Sequence, residues 1–229
     1  MSQKVEQQPA FVLHRRPYRE TSAIIDFLTA DFGRVGGVAR GTRGTRRSTP
    51  FEPFVRYQIS WTGRGQLRTV TGAEAVGHLA LEGDRLFAGL YLNELLIRCL
   101  QPEEPFTECF LDYEAAIRSL SHLDELESIL RTFERQLLRA MGYEVVFDVD
   151  AQTGESVEDG AMYNLIDGEG MCRTESSDGA AYPGAILKLI QQDNYDSIEV
   201  RRNAKRLLRH ALRPHVGTKP LATRRLFAP

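Results

Sequence analysis

The chain has 229 residues, 42% hydrophobic and 26% charged, with a formal net charge of −2. These are the proportions of an ordinary globular protein, which excludes a disordered or fibrous chain, and no apolar run approaches the roughly 18 residues of a membrane span. The small total hides a sorting of charge along the chain. Eleven arginines between residues 11 and 72 face four acids, a net of +7. Residues 73–199 carry 26 acids against 8 bases, and residues 200–229 carry nine bases and no acid. A polyanion is drawn to the two ends and repelled by the middle. The polar start MSQKVEQQPA lacks the apolar core of a secretory signal, so the expected location is the cytoplasm.

The first 75 or so residues read as strands at 10–14, 22–28, 34–39, 54–61 and 67–71, parted by glycine and proline punctuation. Five strands in so short a stretch predict a small closed barrel; strand count alone leaves the oligonucleotide-binding (OB) fold and an SH3-like barrel both open. From Gly83 the apolar period becomes helical, with Leu86, Leu90, Leu92, Leu95, Leu96 and Cys99 on one side of a helix that stops before Pro102. A second helix is expected over 105–120 with proline at its start, and a third over 123–141 with Gly142 as its C-cap, the three making a bundle. Residues 143–182, rich in Asp, Glu, Gly and Ser, read as an irregular insert or small hairpin. Pro183 then opens a helix at its N1 position, and Ser197 caps a last one to Leu212, whose apolar stripe of Leu207, Leu208, Ala211 and Leu212 backs a face of Arg201, Arg202, Lys205, Arg206 and Arg209. The predicted class is α+β: a five-stranded barrel over 1–78, then an α-helical bundle domain over 79–229 carrying the insert.

The segment RVGGVARGTRGTRR sets five arginines (Arg34, Arg40, Arg43, Arg46, Arg47) among glycines with no carboxylate between. Glycine lets a backbone approach a ligand, and guanidinium forks match phosphate oxygens in pairs, so a phosphate-binding loop is one reading. A solvated loop between strands is the other. Arg15, Arg16 and Arg64 add to the same charge. Phe11, Tyr18, Phe54, Tyr57 and Trp61 lie on the neighbouring strands, where each is either a core ring or a stacking platform for bases; Trp61, beside the Gly63-Arg64-Gly65 turn, is the one expected to be exposed.

Catalytic patterns are sparse. His14, His78, His122, His210 and His215 lack metal-ligand spacing, no CxxC occurs, and Cys99 and Cys109 sit in apolar helical text as buried small residues. Asp148 and Asp150, with Glu155, Glu158 and Asp159, could bind a divalent cation as a nuclease site, but the plainer reading is a solvated acidic loop. No cofactor and no metal is expected.

The segments FVLHRRPYRETSAIIDFLTADFGRVGGVARGTR, FEPF, GRGQL, GLYLNELLIRCL, LRTFERQLLRAMGY and AKRLLRHALRPHVGTKPLATRRLF resemble, in order, the bacterial recombination mediator RecO. GLYLNELL and the late KPL are the most specific of them. The resemblance implies an OB domain that binds single- and double-stranded DNA, and a helical domain that recruits partners. It implies strand annealing, and help from RecR in letting RecA replace the single-stranded-DNA-binding protein SSB, all without enzyme chemistry and in association with the nucleoid. It also implies a basic and apolar site for the acidic SSB tail, carried over to Arg131 and Arg135, with Lys205 and Arg206 of the last helix. Some relatives carry a four-cysteine zinc site in the insert; this chain has only Cys172 there, and one thiol cannot hold a structural zinc. A protein-binding adaptor and a metal-dependent nuclease stand as the alternatives.

Overall fold

The computed structural model describes residues 4–42, 50–175 and 181–227. Five strands, β1 (Lys4–Tyr18), β2 (Ser22–Thr29), β3 (Gly33–Ala39), β4 (Val55–Thr62) and β5 (Arg68–His78), close into a barrel of order β1-β2-β3-β5-β4. The N-terminal half of β1 pairs antiparallel with β4 and its C-terminal half with β2. Closure comes where β3 and β5 run parallel, through Gly37–Arg68 and Val38–Thr69. This is the five-stranded Greek-key OB barrel, and the SH3-like alternative falls. Its interior follows the period of two: Val55, Tyr57, Ile59 and Trp61 of β4 point inward with Ile25 and Phe27 of β2 and Val12 of β1.

Beyond the barrel come α1 (Gly83–Cys99) and α2 (Thr107–His122), which stay in its compact unit, Met1–Asp124 together with Thr218–Pro229. Phe11, on the outer side of β1, meets the rings of Phe110 and Tyr113 at 5.5 and 5.2 Å. Asn93 of α1 donates to the carbonyls of Val12 and Leu13. Both faces of β1 are thus covered over residues 10–13, all of them buried. The connection between the two helices lies along β3: Pro102 bridges to Arg34, and the Glu103 N–H donates to the Arg34 carbonyl at 2.9 Å. Gly33, at φ +60°, leaves no room there, since a Cβ would stand 1.8 Å from the Glu104 carbonyl oxygen. The closing residues of the chain, ending in the 3-10 turn Ala222–Phe227, return to α1, where the Glu94 carboxylate accepts from the Ala222 N–H and from both the N–H and hydroxyl of Thr223.

A second unit, Glu125–Gly217, holds α3 (Leu126–Ala140), a three-stranded sheet, α4 (Gly184–Gln191) and α5 (Ile198–Val216). Periodicity groups α3 with α1 and α2, whereas its strongly apolar side packs with α5 inside this unit. The insert is a sheet of order β7-β6-β8, the hairpin β6 (Met162–Ile166) and β7 (Gly170–Thr174) with β8 (Tyr182–Pro183) on the other side of β6. Gly142, at φ +79°, ends α3 as expected, with the Tyr143 N–H returning to the Leu138 carbonyl. Ser197 caps α5 through the Val200 N–H at 3.1 Å. Several boundaries differ from expectation: α2 starts at Thr107, leaving Pro105 outside it, and α3 starts at Leu126 rather than at 123. Pro183 is the N-cap of α4 rather than its N1 residue, and α5 runs four residues past Leu212, carrying Pro214 in its last turn. Among the described residues no helix is long and apolar enough to cross a membrane.

Candidate nucleic-acid interface

The barrel arginines divide by what faces them. Arg56 is 3.1 Å from Glu114 of α2, and Arg68, 6% exposed, is 3.1 Å from Glu103. These two are neutralised within the fold. Arg15, Arg16, Arg19 and Arg40 are exposed, and among the described residues no carboxylate pairs with them.

Strand register gathers those four. Arg15 and Arg16 pair with Ile25 and Ile24 near the start of β2, Arg19 sits in the β1–β2 turn, and Arg40 follows Ala39, which pairs with Ala23. The Thr42 N–H donates to the Thr21 carbonyl at 2.8 Å, and Arg15 Nη2 reaches the Thr42 carbonyl at 3.5 Å. The residues that lead into the arginine loop are therefore tied to the β1–β2 turn. Arg43, Arg46 and Arg47 lie outside the described residues. Arg34, half-buried, starts β3, and the two-residue period puts it on the same face as Arg40, about 20 Å away at 3.3 Å per residue. Arg64 is exposed in the β4–β5 turn, whose Gln66 carbonyl would stand 2.6 Å from a Cβ on Gly36 of that face.

The aromatic reading needs correction. Trp61, expected beside the surface, is 1% exposed; it lies inside the barrel, edge-on to Phe32 at 5.2 Å. Phe11, Phe54 and Tyr57 are buried as well. Of the five rings only Tyr18 keeps part of its surface, with the Arg19 guanidinium 5.1 Å from its centroid. Among the described residues Tyr18 and Arg19 thus form the aromatic and cationic pair at the positive end. Arg19 is absent from the predicted set, although the Arg16-Pro17 turn signal beside it was readable.

The four cations assigned by resemblance to an acidic tail are all engaged within the second unit. Arg131 is 3% exposed, and its Nη2 is 3.0 Å from the fully buried Glu134 carboxylate. That places Arg131 in the interior rather than on a docking surface. Arg135 donates to the Ile190 and Gln191 carbonyls at the end of α4 and is 2.7 Å from Asp193, which is how a cation caps a helix C-terminus. Arg206 donates to the Ala181 carbonyl at 2.6 Å and lies over the Tyr182 ring at 4.1 Å. Lys205 meets Glu127 at 2.8 Å with both side chains about half exposed.

The N-terminal model of recombination protein O matches residues 1–79 and its C-terminal model residues 80–225. The chain belongs to the RecO family. It is 41% identical to "DNA repair protein RecO" of Nitrosococcus oceani over 98% of this chain and 93% of the relative. Identity is 42% to the protein of that name from Pseudomonas paraeruginosa, over 96% and 94%, and 36% to that from Cellvibrio japonicus, over 99% and 98%.

In this RecO-family chain the loop at 148–157 is closed by main-chain hydrogen bonds. The Asp150 N–H donates to the Glu155 carbonyl, the Gly154 N–H to the Asp150 carbonyl and the Val157 N–H to the Asp148 carbonyl, at 2.8, 2.8 and 3.0 Å. Asp150, 5% exposed, accepts the Gln152 N–H at 2.9 Å, so its carboxylate serves the turn. Among the described residues no group of three or more His, Cys, Asp and Glu side chains is placed to hold a metal. Burial pushes the Cys99 and Cys109 thiols up to about 12, leaving them protonated and poor nucleophiles.

Proposed function

We propose that this chain is a DNA-binding recombination mediator and strand annealer that works without enzyme chemistry. The uncompensated cluster of Arg15, Arg16, Arg19 and Arg40 at one end of the OB barrel carries this reading. Guanidinium groups left without carboxylate partners bind phosphates and release counterions, and they offset the repulsion that keeps two complementary strands apart. The binding path runs from this cluster along the β3 face past Arg34 to Arg64 and takes single or double strands; Arg43, Arg46 and Arg47 are further phosphate-binding candidates by composition. Tyr18 supplies a stacking ring, a contact that tolerates any base.

The second unit tethers the protein to SSB-coated DNA by the acidic SSB tail, and RecR acts with it so that RecA gains the strand. Lys205 supports this part: its half-exposed pair with Glu127 is a surface contact of about 0 to 1 kcal/mol, which an acidic peptide can displace. Arg131, Arg135 and Arg206 hold the surface beneath it. Action at the nucleoid in the cytoplasm follows from these partners.

Fluorescence anisotropy with labelled oligonucleotides tests the reading. Replacing Arg15, Arg16, Arg19 and Arg40 by alanine is expected to weaken binding to every sequence and to flatten its salt dependence by roughly 0.7 to 0.9 per lost phosphate contact. Unchanged affinity and slope would refute it and leave the protein-adaptor alternative. Annealing of SSB-coated complementary strands by the unmodified protein, and its loss in the variant, completes the test.

A further inference from the structure

The second unit has a groove of about 800 Å³ where the end of α3, the β6–β7 hairpin and the last turns of α5 meet. Leu165 and Met171, both buried, form its floor. Three large apolar side chains stand open on its walls: Tyr143 at 57%, Val146 at 48% and Ile166 at 39% exposure. The wall at Tyr143 is fixed, because the glycine turn that ends α3 delivers this ring against His215 at a centroid distance of 4.2 Å. Exposed apolar side chains that line one concavity, rather than lying scattered over the surface, suit a site of contact.

Charge decides what fits. The groove is built mainly from residues 142–171, a stretch of eight acids with no lysine, arginine or histidine. Glu144, Asp167 and Glu169 stand exposed at its rim. Asp167 is partly answered by His210 at 3.2 Å and Arg213 at 3.4 Å, and Glu169 is met only by the weak Cys172 Sγ contact at 3.8 Å. Burial lowers the pKa of the His215 imidazole, the one titratable base in the lining, and so favours its uncharged form. A phosphate backbone or an acidic peptide is repelled here.

We propose that this groove docks a basic amphipathic peptide segment of a protein partner, which places two or three apolar side chains against Tyr143, Val146 and Ile166 and lysines or arginines against the carboxylate rim. The volume suits that many side chains, and amphipathic helices dock in grooves through anchors spaced in this way. Its charge is opposite to that of the arginine end of the barrel. It gives the acidic middle of the chain a binding role of its own.

The test uses the full chain and a labelled 16-residue helical peptide of leucine and lysine, with two companions: lysines replaced by glutamate, and leucines replaced by serine. The leucine–lysine peptide is expected to bind, and both companions to bind at least about tenfold more weakly. Val146→Arg, and separately Glu144→Lys with Glu169→Lys, are each expected to weaken binding about tenfold while oligonucleotide binding stays within about twofold. The charge pair lies at exposed positions, so it answers the question even if Val146→Arg does not fold. Equal binding of the glutamate or serine companion, or unaltered peptide binding by the charge-reversed protein, would overturn the proposal.

Discussion

Asn93 is the side chain on which the join between helix and barrel turns. It is 2% exposed and makes three contacts: Nδ2 donates to the Leu13 carbonyl at 3.0 Å and the Val12 carbonyl at 3.4 Å, and Oδ1 accepts from the Tyr113 hydroxyl at 2.6 Å. The pairing of β1 with β2 shifts register between Val12 and His14, so Leu13 sits in a bulge where the sheet ladder is interrupted. Asn93→Leu keeps the volume, leaves the Leu13 carbonyl without its amide donor in a dry interior and removes the acceptor of the Tyr113 hydroxyl bond. The stranded carbonyl costs about 1 to 3 kcal/mol and the lost hydroxyl bond about 1 more, so the variant is expected to lose about 2 to 4 kcal/mol. Urea unfolding followed by Trp61 reads this directly, because that residue is the chain's sole tryptophan and lies in the barrel core. At a slope of about 2 to 3 kcal/mol per molar urea, toward the upper end for a chain of this length, the midpoint falls by roughly 0.7 to 2 M. Tyr113→Phe should cost about 1 kcal/mol alone and close to nothing in the Asn93→Leu background, since the two share one bond. A loss below about 0.5 kcal/mol in Asn93→Leu would refute the account.

Two further outcomes follow from charges inside the fold. Removing one member of the buried Arg131–Glu134 pair, as in Arg131→Leu or Glu134→Leu, should destabilise the second unit by about 3 to 5 kcal/mol, while the double replacement by leucine recovers most of that loss in thermal unfolding. An additive double variant would be the wrong result for this reasoning. At Glu94, burial works to raise the carboxyl, but the hydrogen bonds from Thr223 and Ala222 and the nearby Arg98 outweigh it and hold the group below its ordinary value. Its stabilising effect is therefore full above the unfolded pKa of about 4.3 and is lost as pH falls through the lower folded value. Hydrogen-exchange protection at Ala222 and Thr223, taken relative to the intrinsic rate at each pH, should fall over that acidic range, and in Glu94→Gln it should be lower at neutral pH and unchanged by acid.

Much of the architecture was readable from residue patterns, and the misreadings have physical causes. Strands β2 and β3 announce themselves through β-branched and apolar runs. The later part of β5, GAEAVGH, looks like loop because it is small and polar, yet the ladder to β4 holds it as strand through His78. Trp61 was misplaced by its nearness to a glycine turn. Its parity with Val55, Tyr57 and Ile59 along the strand already points it inward, and parity is the stronger signal. For Arg131, the family resemblance pointed to a docking site, but it stands three residues before Glu134 on the side of α3 that also buries Leu130, Phe133 and Leu137. An ion pair can bury both members where neither alone could be buried. The arginine cluster was legible as composition. Which arginines stay unpaired was not, because Glu103 and Glu114 come from distant parts of the chain.

The connection at residues 102–104 has a meaning beyond packing. A barrel cut after residue 79, where the two family models meet, would keep all five strands and lose the segment that lies along β3 beside Gly33 and Arg34. It would also bare Phe11 on the outside of β1. An uncovered strand edge next to an apolar patch is a template for another chain's strand, and proteins guard such edges to stay monodisperse. In this chain the guard is lent by the sequence that follows, so the N-terminal family match and the compact unit that covers its own strands have different ends.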